Sequence, residues 1–331
     1  MNEIKTMQYL LSETGAAEAN GYSKLPHIIF DKDYCRIPRI KLNERDSYYI
    51  SNNEVGFYIS VLNYGVNTYA SVALIDFLDG NIYSCNVLKP LTFGQEYMPT
   101  RSDSGSVSYA DSRVSINFSC TSIKRYIKCD FVNFCQDKNL FANLTLEQKF
   151  ADSLNAATPA SDTHESYFYL SRFLPELSVT GTIRFGGQEY SFDNTNANGY
   201  LNWQRYGSPD KKFATTLFCD TQINRKPFSL LLSSPGQENE NSFFYNGTMF
   251  KLEKAQFVGN ENFLNRPFRI STTGRMVDLV FRPKIRNGHL MSVDCDKRTM
   301  VFGNISGKLR HEETGRLEII NLPAHLEFYF V

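Results

Sequence analysis

The feature that most constrains the fold of this chain is a series of short alternating runs, each ended by a turn of two residues. Residues 180–192 (TGTIRFGGQEYSF) alternate apolar and polar side chains on both sides of Gly186-Gly187. Residues 243–250 (FFYNGTMF) turn at Asn246-Gly247, the strongest short hairpin signal, because both central positions tolerate positive φ. These runs predict antiparallel β-hairpins.

Further turn signals extend this pattern along the chain. Asp79-Gly80, Thr273-Gly274 and Thr314-Gly315 each adjoin alternating runs, and the closing residues 326–331 (LEFYFV) alternate as a strand does. The chain has 26 Phe and 19 Tyr, a surplus that suits half-buried strands better than helical bundles. Residues 145–155 have capping-box spacing but also fit period two, so helix and strand both stay open, with strand preferred. The sequence predicts an all-β protein, either a β-sandwich or an up-and-down barrel.

The length and one linker-like stretch predict two domains. A chain of 331 residues can form one large or two ordinary domains. Residues 156–165 (AATPASDTHE) are small or turn-forming, and Pro159 interrupts a β-ladder. We therefore expect an N-terminal β domain of residues 1–158 and a C-terminal β domain of residues 159–331. No repeat between the halves is visible in the sequence, so a duplication would be structural only.

Charge and hydropathy exclude several kinds of partner. Lys+Arg and Asp+Glu both number 35, so the formal net charge is zero and nothing in it recruits nucleic acid or an anionic membrane. No apolar run approaches the roughly 20 residues that span a bilayer. Residues 1–11 (MNEIKTMQYLL) lack the pattern of a signal peptide, and the seven cysteines, without C-x-x-C spacing, are interpreted as reduced, mostly buried thiols. We expect a cytoplasmic protein without stable membrane insertion; the oligomeric state is not predicted.

The usual motifs of nucleotide, zinc and α/β-hydrolase chemistry are missing from the sequence. There is no G-x-G-x-x-G, G-x-x-x-x-G-K-[ST], H-E-x-x-H or G-x-S-x-G. The five histidines are far apart, and none has an i+2 or i+4 partner that would preset two metal ligands. We expect no metal site and no cofactor.

One segment, residues 199–212 (GYLNWQRYGSPDKK), stands out for its side chains. It holds the only tryptophan, Trp203, with Arg205 two places on and Tyr206 beside it. Residues i and i+2 of a strand point to the same face, so the guanidinium can lie over the indole and both can line a pocket. The alternative is a core tryptophan with a satisfied arginine at a barrel end.

Stretches in both halves of the chain are similar to an uncharacterised family. They are residues 10–26, 55–77, 88–100, 181–193 (GTIRFGGQEYSFD), 199–207 (GYLNWQRYG), 242–257, 276–288 and 301–330. The chain resembles the family catalogued as domain of unknown function 2804 (DUF2804). The resemblance implies two lipocalin-like antiparallel β-barrel or sandwich domains, related at fold level to carotenoid hydratases and cyclising enzymes of natural-product pathways. Those proteins hold polyene or polyketide-like molecules in apolar, β-walled cavities.

The chain departs from the family pattern in this segment. The family has a Leu-Asp-Trp-Gly-Arg-Gly signature, whereas this chain has Asn202, Gln204 and Tyr206 at the Asp and Gly positions and keeps Leu201, Trp203 and Arg205. An Asn amide does not titrate, so it cannot replace a catalytic Asp. It can still accept a hydrogen bond from a guanidinium if the Asp only anchors the Arg.

Two main hypotheses for function follow. The first is an enzyme that hydrates, isomerises or cyclises a small apolar, isoprenoid or lipid-like molecule in a cavity that excludes water. The second is a non-catalytic carrier of such a molecule, with Asn202 marking the loss of acid chemistry. A carbohydrate-binding or purely structural role is a third. The candidate residues are Arg205, Asp76 and Asp193 for catalysis, with Glu165 as a further acid, and Asn202, Trp203, Tyr206 and Tyr245 for ligand binding.

Overall fold

The computed structural model of the protein describes residues 2–160, 164–207, 215–235, 238–259, 266–284, 291–293 and 298–329. The regular structure of these ranges is almost all β-strand, as the alternating runs predict. The strands are β1 (Gln8–Tyr9), β2 (Gly21–Ser23), β3 (Ile28–Ile29), β4 (Asn43–Ser51), β5 (Val55–Tyr64), β6 (Asn67–Asp76), β7 (Ile82–Lys89), β8 (Ser104–Ala110), β9 (Val114–Thr121), β10 (Lys124–Cys135), β11 (Lys138–Glu147), β12 (Leu154–Pro159), β13 (Phe168–Phe185), β14 (Gln188–Phe192), β15 (Asn198–Gly207), β16 (Thr215–Ile223), β17 (Lys226–Ser234), β18 (Ser242–Tyr245), β19 (Thr248–Lys251), β20 (Ala255–Val258), β21 (Phe268–Thr272), β22 (Val277–Pro283), β23 (Met291–Val293), β24 (Arg298–His311) and β25 (Gly315–Tyr329).

Helical structure is limited to single 3₁₀ turns in the part of the chain that the structure describes. These turns are Lys32–Tyr34, Arg39–Lys41 and Glu238–Glu240. The ambiguous residues 145–155 contain no helix: β11 runs to Glu147 and β12 begins at Leu154, so the preference for strand is confirmed at the two ends, while residues 148–153 connect the two strands. No helix in the described ranges has the length and apolar character to cross a bilayer.

The first of two compact units is Met1–Asp210, and it is built on a curled antiparallel sheet. The strand order is β7-β6-β5-β4-β15-β13-β11-β10-β9-β8, with β12 and β14 also paired to β13. Ring contacts join strands that are far apart in this order. The rings of Tyr48 in β4 and Phe118 in β9 are 5.0 Å apart, and those of Tyr83 in β7 and Phe185 in β13 are 4.7 Å apart. The sheet therefore curls around one core, and we call the face toward this core the inner face.

The second unit, Lys211–Val331, repeats the arrangement of the first. Its strand order is β19-β18-β17-β16-β25-β24-β22-β21-β20. Nine strands of the first order become the second when β4 to β7 are replaced by β16 to β19, β15 by β25, β13 by β24, β11 by β22, β10 by β21 and β9 by β20; the edge strand β8 has no counterpart among the described residues. The two units thus have the same sheet topology without a visible sequence repeat, which is a duplication at the level of structure.

The five hairpins predicted from turn signals are all present. They join β6 to β7, β13 to β14, β18 to β19, β21 to β22 and β24 to β25. At the two clearest turns both central residues have positive φ: 56° and 91° at Gly186 and Gly187, and 53° and 83° at Asn246 and Gly247. The closing residues form the end of β25, as predicted, with Phe330 and Val331 outside the described residues.

The division between the units differs from the boundary at residues 158 and 159 that the linker pattern predicts. Leu154–Pro159 is strand β12, which pairs along its whole length with β13, and β13 lies between β11 and β15 in the first sheet. The small residues Ala156 and Ala157 are fully buried there, so a composition typical of a linker belongs to a tightly packed strand. Trp203 and Arg205 therefore lie in the first unit, and not in a C-terminal domain.

Each unit has its own apolar core. Inner-face residues such as Ile59, Val72 and Leu174 belong to the first, and Leu230, Leu279 and Leu326 belong to the second. The six cysteines among the described residues are free. Two of these are buried and four are half-buried, so the expectation of mostly buried thiols was too strong; Cys295 lies outside the described residues.

Candidate functional site

The side chains of residues 202–206 divide between the two faces of strand β15. Trp203 and Arg205 lie on the inner face, and strand alternation places Asn202 and Tyr206 on the opposite face. The family signature position occupied by Asn202 is therefore not beside the Arg205 guanidinium. The ligand-binding residues predicted from this segment do not form one group.

Across the inner face, the strand register places three polar or aromatic side chains in a line. Arg172 of β13 pairs with Trp203 of β15, and Trp203 pairs with Asp46 of β4. Neighbouring strands are about 4.8 Å apart, so these side chains are direct neighbours. We call Arg172, Trp203 and Asp46 the inner row. It belongs to the polar part of a largely apolar wall.

Arg205 is fully buried next to the inner row, and its charge is balanced by carboxylates. Its Nη1 donates to Asp46 Oδ1 at 2.8 Å, and its Nε lies 3.4 Å from Glu44 Oε1. The guanidinium carbon lies 4.0 Å from the centre of the Trp203 ring, so the stacking predicted from the i, i+2 spacing is confirmed. Such a desolvated cation–π contact contributes about 2 kcal/mol.

The other donors of Arg205 also find protein partners. Nη1 donates to the backbone oxygens of Arg45 at 3.1 Å and Gln204 at 2.9 Å, and Nη2 donates to the backbone oxygen of Pro99 at 2.8 Å. The arginine therefore holds the loop around Pro99 against β4 and β15. Apart from Nε, which is ion-paired with Glu44 without a hydrogen bond, the donors of this arginine are satisfied, which is close to the alternative of a satisfied arginine at a barrel end.

Asp46 is the carboxyl group of the inner row. It is 7% exposed, and burial raises its pKa, while the positive charge and hydrogen bond of Arg205 act in the opposite direction. The indole nitrogen Nε1 of its neighbour Trp203 is buried without a hydrogen-bond partner in the described structure. A buried carboxyl with a raised pKa is suited to holding and transferring a proton.

Glu44 extends the polar region toward one end of the sheet. Lys32 Nζ lies 2.7 Å from Glu44 Oε1 and also donates to the backbone oxygen of Met98 at 2.8 Å. Asn63 Nδ2 donates to Glu44 Oε2 at 3.3 Å. Lys32 thus links its own turn and the loop at Met98 to Glu44 of the sheet, at one end of the inner face.

Two further arginines, Arg125 and Arg172, meet on the inner face. They are 0% and 5% exposed. Arg125 Nη2 donates to the backbone oxygen of Ser102 at 3.2 Å, and Arg172 Nη1 donates to the Ser102 hydroxyl. Nε and Nη1 of Arg125 and Nε of Arg172 are buried without a hydrogen-bond partner in the described structure. Leaving a buried donor unpaired costs about 1–3 kcal/mol, so this group of donors requires an explanation.

The opposite face of the first sheet carries a separate polar network. Arg45 Nη2 donates to the Tyr58 hydroxyl at 2.6 Å, and Gln204 Nε2 donates to the Tyr169 hydroxyl at 2.8 Å. The ring of Tyr206 lies 5.9 Å from that of Tyr169. Tyr206 therefore belongs with this network and not with Trp203.

The acids proposed from sequence lie outside the inner row. Asp76 is at the far end of β6. The strand register places Arg205 in the same row across the sheet as Thr68 of β6, and Asp76 lies eight residues beyond Thr68, about 26 Å along the strand. It accepts hydrogen bonds from the backbone of Leu78 and Asp79 at 2.9 and 3.0 Å in the β6–β7 turn.

Asp193 and Glu165 are exposed residues. Asp193 accepts from the backbone and hydroxyl of Thr195 at 2.7 and 2.5 Å, contacts that lower its pKa, in the turn between β14 and β15. The backbone oxygen of Glu165 accepts from Ala17 at 2.7 Å. Tyr245 lies in the second unit, where Lys226 Nζ is 5.5 Å from its ring centre.

Sequence reasoning missed Asp46, Arg125 and Arg172. Asp46 stands in a run of charged residues, Glu44-Arg45-Asp46, and such a run usually marks a solvated face. One sequence signal could have indicated that Asp46 is buried: the charged run is followed, one residue later, by the apolar residues Tyr48, Tyr49 and Ile50 of the same strand. The two arginines sit singly in alternating strands and carry no motif. Among the described residues, no group of three or more His, Cys, Asp or Glu could hold a metal ion.

Comparisons with known proteins agree with this architecture. The family described as domain of unknown function (DUF2804) matches residues 1–329. A search of curated proteins finds no significant match. Among solved structures, kievitone hydratase from Nectria haematococca is similar with a TM-score of 0.56 at 12% identity, over 98% of both chains. A Nitrosomonas europaea protein described as AttH has a TM-score of 0.56 at 9% identity, over 94% of this chain and 99% of that one. At these identities the likeness shows the fold.

Proposed function

This chain belongs to the DUF2804 family, and we propose that its first unit binds a small, largely apolar molecule against the inner row. The observation that carries the proposal is a set of unpaired buried donors, including Trp203 Nε1, on a largely apolar wall. Ligand sites combine apolar surface with a few polar groups that fix orientation. The lipocalin-like fold supports a binding barrel.

The chemistry that this site supports best is proton transfer to a bound unsaturated molecule, with hydration as its first candidate reaction. In acid-catalysed hydration, a carboxyl group gives a proton to one carbon of the double bond, a water molecule bonds through its oxygen to the other carbon, and the extra proton of that water returns to the carboxylate. The raised pKa of Asp46 suits this role, and Arg205 orients the carboxyl group through its hydrogen bond. A structural neighbour of this chain is named as a hydratase, which supports the same class. Isomerisation and cyclisation use the same proton donor.

A non-catalytic carrier is the alternative, and the state of Arg205 favours it. Both terminal nitrogens of this arginine already donate to protein oxygens, so the group predicted from sequence to act in catalysis is occupied by the fold. In a carrier, apolar surface and the unpaired donors alone supply affinity.

The test incubates the purified full chain with a cell lipid extract and identifies retained and converted molecules by mass spectrometry. If the protein is an enzyme, Asp46→Asn should abolish conversion and keep retention, because the amide cannot supply a proton. Asp130→Asn, an exposed position on β10, is the matched control and should change neither. Asp76→Asn and Asp193→Asn test the acids proposed from sequence: loss of conversion in either would place the acid there.

The remaining outcomes separate the two functions. Retention without conversion by the wild-type chain supports the carrier. If the wild-type chain neither retains nor converts any molecule, the proposal is contradicted. Because Trp203 is the only tryptophan, its fluorescence reports directly on the inner row, and a ligand bound there should change it.

A further inference from the structure

Arg125 and Arg172 converge from distant parts of the first unit. Arg125 comes from β10 and Arg172 from β13, and both donate to Ser102 in the loop before β8. Both side chains are more than nine-tenths buried, and each keeps at least one guanidinium nitrogen without a partner in the described structure. Two guanidinium groups with free donors therefore face the same buried region.

The charge of this pair is not balanced in the way that the charge of Arg205 is. Arg205 has Asp46 at 2.8 Å, whereas no carboxylate of the described residues forms an ion pair with Arg125 or Arg172. The acidic group that most raises the pKa of Arg172 is Asp103. Nε and Nη2 of Arg101 already donate to that carboxylate, each at 2.8 Å.

The electrostatics of Arg172 reflect this imbalance. Its pKa is lowered to about 10, mainly by burial and then by the positive charge of Arg125, against the opposing effect of Asp103. Two like charges held side by side in a buried position are costly unless a group of opposite charge joins them. An anion between them would pair the free donors and relieve the repulsion.

We propose that Arg125 and Arg172 bind the carboxylate of a largely apolar ligand. The inference rests on the proposed function and names the class of ligand: an apolar carboxylic acid whose hydrocarbon part lies against the inner face. A planar carboxylate matches the planar fork of a guanidinium and accepts from two such groups at once. The hydroxyl of Tyr48 interacts with Arg125, and its ring packs on Phe118, so these two rings offer apolar surface beside the arginines for the rest of the molecule.

Calorimetric titration of the full chain with decanoate and with decan-1-ol tests the inference. The two probes have the same hydrocarbon length and differ in charge, and both are used below the concentrations at which they self-associate. Decanoate should bind about 10- to 100-fold more tightly, the ratio expected from charge-assisted hydrogen bonds. Arg125→Met and Arg172→Met should remove this preference, so that decanoate binds no more tightly than decan-1-ol.

The controls separate this inference from the proposed function. Arg184→Met removes an exposed arginine of β13 and should leave both affinities unchanged. If both probes bind equally and the buried variants have no effect, the carboxylate site is overturned and the binding of apolar molecules stands. If neither probe binds, the proposed function fails with it.

A second measurement uses the wild-type chain alone, in case the buried variants do not fold. Decanoate should raise the Tm of the wild-type protein, because a ligand that binds the folded state stabilises it. Methyl decanoate, which has no charge, and inorganic phosphate, which has no apolar part, should raise it less. An equal shift with methyl decanoate would overturn the carboxylate site.

Discussion

At the scale of single residues, this protein places charge where a barrel normally places only apolar side chains. Glu44, Asp46 and Arg205 form a buried group with complementary charges, and Arg125 and Arg172 form a second with positive charge alone. The charges of the first group are balanced by its own members and by Lys32, although Arg205 Nε and Glu44 Oε1 meet as an ion pair without a hydrogen bond. The second has no carboxylate of its own among the described residues, and this difference is why we assign the orientation of the Asp46 carboxyl to the first group and the binding of a ligand carboxylate to the second.

Arg205→Met should strongly destabilise the protein. The variant keeps most of the side-chain volume against Trp203 but leaves Asp46 buried without its cation, whereas Glu44 keeps Lys32; losing one partner of such a buried pair costs about 3–5 kcal/mol of the free energy of unfolding. Urea unfolding measures this loss. The exposed pair of Arg184 and Glu189 provides the control, since Arg184→Met should cost less than about 1 kcal/mol. Similar losses for both variants would contradict the buried-pair interpretation.

Stability should fall as the pH falls between about 6.5 and about 4, in part because of His325. Burial lowers the pKa of this histidine from 6.5 to about 4, while Glu327, itself paired with Arg298, opposes the shift. In that window the unfolded chain binds the proton and the folded chain does not, so acid favours unfolding by up to about 3 kcal/mol.

His325→Phe tests this effect. It should flatten that part of the pH profile while keeping the stacking with Phe218 and Phe302. Urea unfolding at several pH values measures it. If the pH dependence of stability is the same in His325→Phe as in the wild-type protein, the protonation of His325 does not contribute to the loss of stability in acid.

At the scale of elements, glycine decides where strands can bend and pair. Gly181 in β13 has a φ of 126°, and a Cβ there would lie 2.1 Å from the backbone oxygen of Asn143. Gly307 in β24 has a φ of 146° and a Cβ would lie 2.1 Å from the backbone oxygen of Asp278. These strands hold corresponding places in the two sheets, so each unit uses a glycine at the same structural position.

Gly181→Ala should be much more destabilising than Gly187→Ala. Gly187 also has a positive φ, 91°, but a Cβ there would meet nothing within 4 Å, so the substitution costs only the backbone strain of about 1 kcal/mol. At Gly181 the collision with backbone adds to that strain. Chemical unfolding of the two variants compares these costs directly, and equal losses would show that strand β13 can move away from β11.

At the scale of the whole molecule, the chain is two copies of one sheet topology joined after β15. A split of the chain at residue 158 would remove β13 and β15, which lie in the middle of the first sheet between β11 and β4. The unit that carries the inner row therefore needs strands from both sides of the apparent linker.

A fragment of residues 1–158 should fail to fold. It leaves β4 and β11 without their central partners, and unpaired strand edges promote aggregation. A fragment of residues 1–210 retains the strands of the first sheet and should keep more β-structure. Size-exclusion chromatography and circular dichroism of the two fragments measure the difference. A monomeric, cooperatively unfolding 1–158 fragment would contradict the assignment of β13 to this unit.

The sequence by itself determined the local structure of this protein. Alternation of apolar residues and turn pairs such as Asn246-Gly247 predicts hairpins, because both depend only on neighbours along the chain. It also predicts that Trp203 and Arg205 share a face.

The tertiary structure alone decided which residues meet. Asp46, Arg125 and Arg172 are brought together by strand register and by the curl of the sheet, and neither is encoded in a local pattern. For the same reason the linker-like residues 156–165 were misleading: small side chains suit both a flexible linker and a tightly packed strand, and only the pairing of β12 with β13 distinguishes the two.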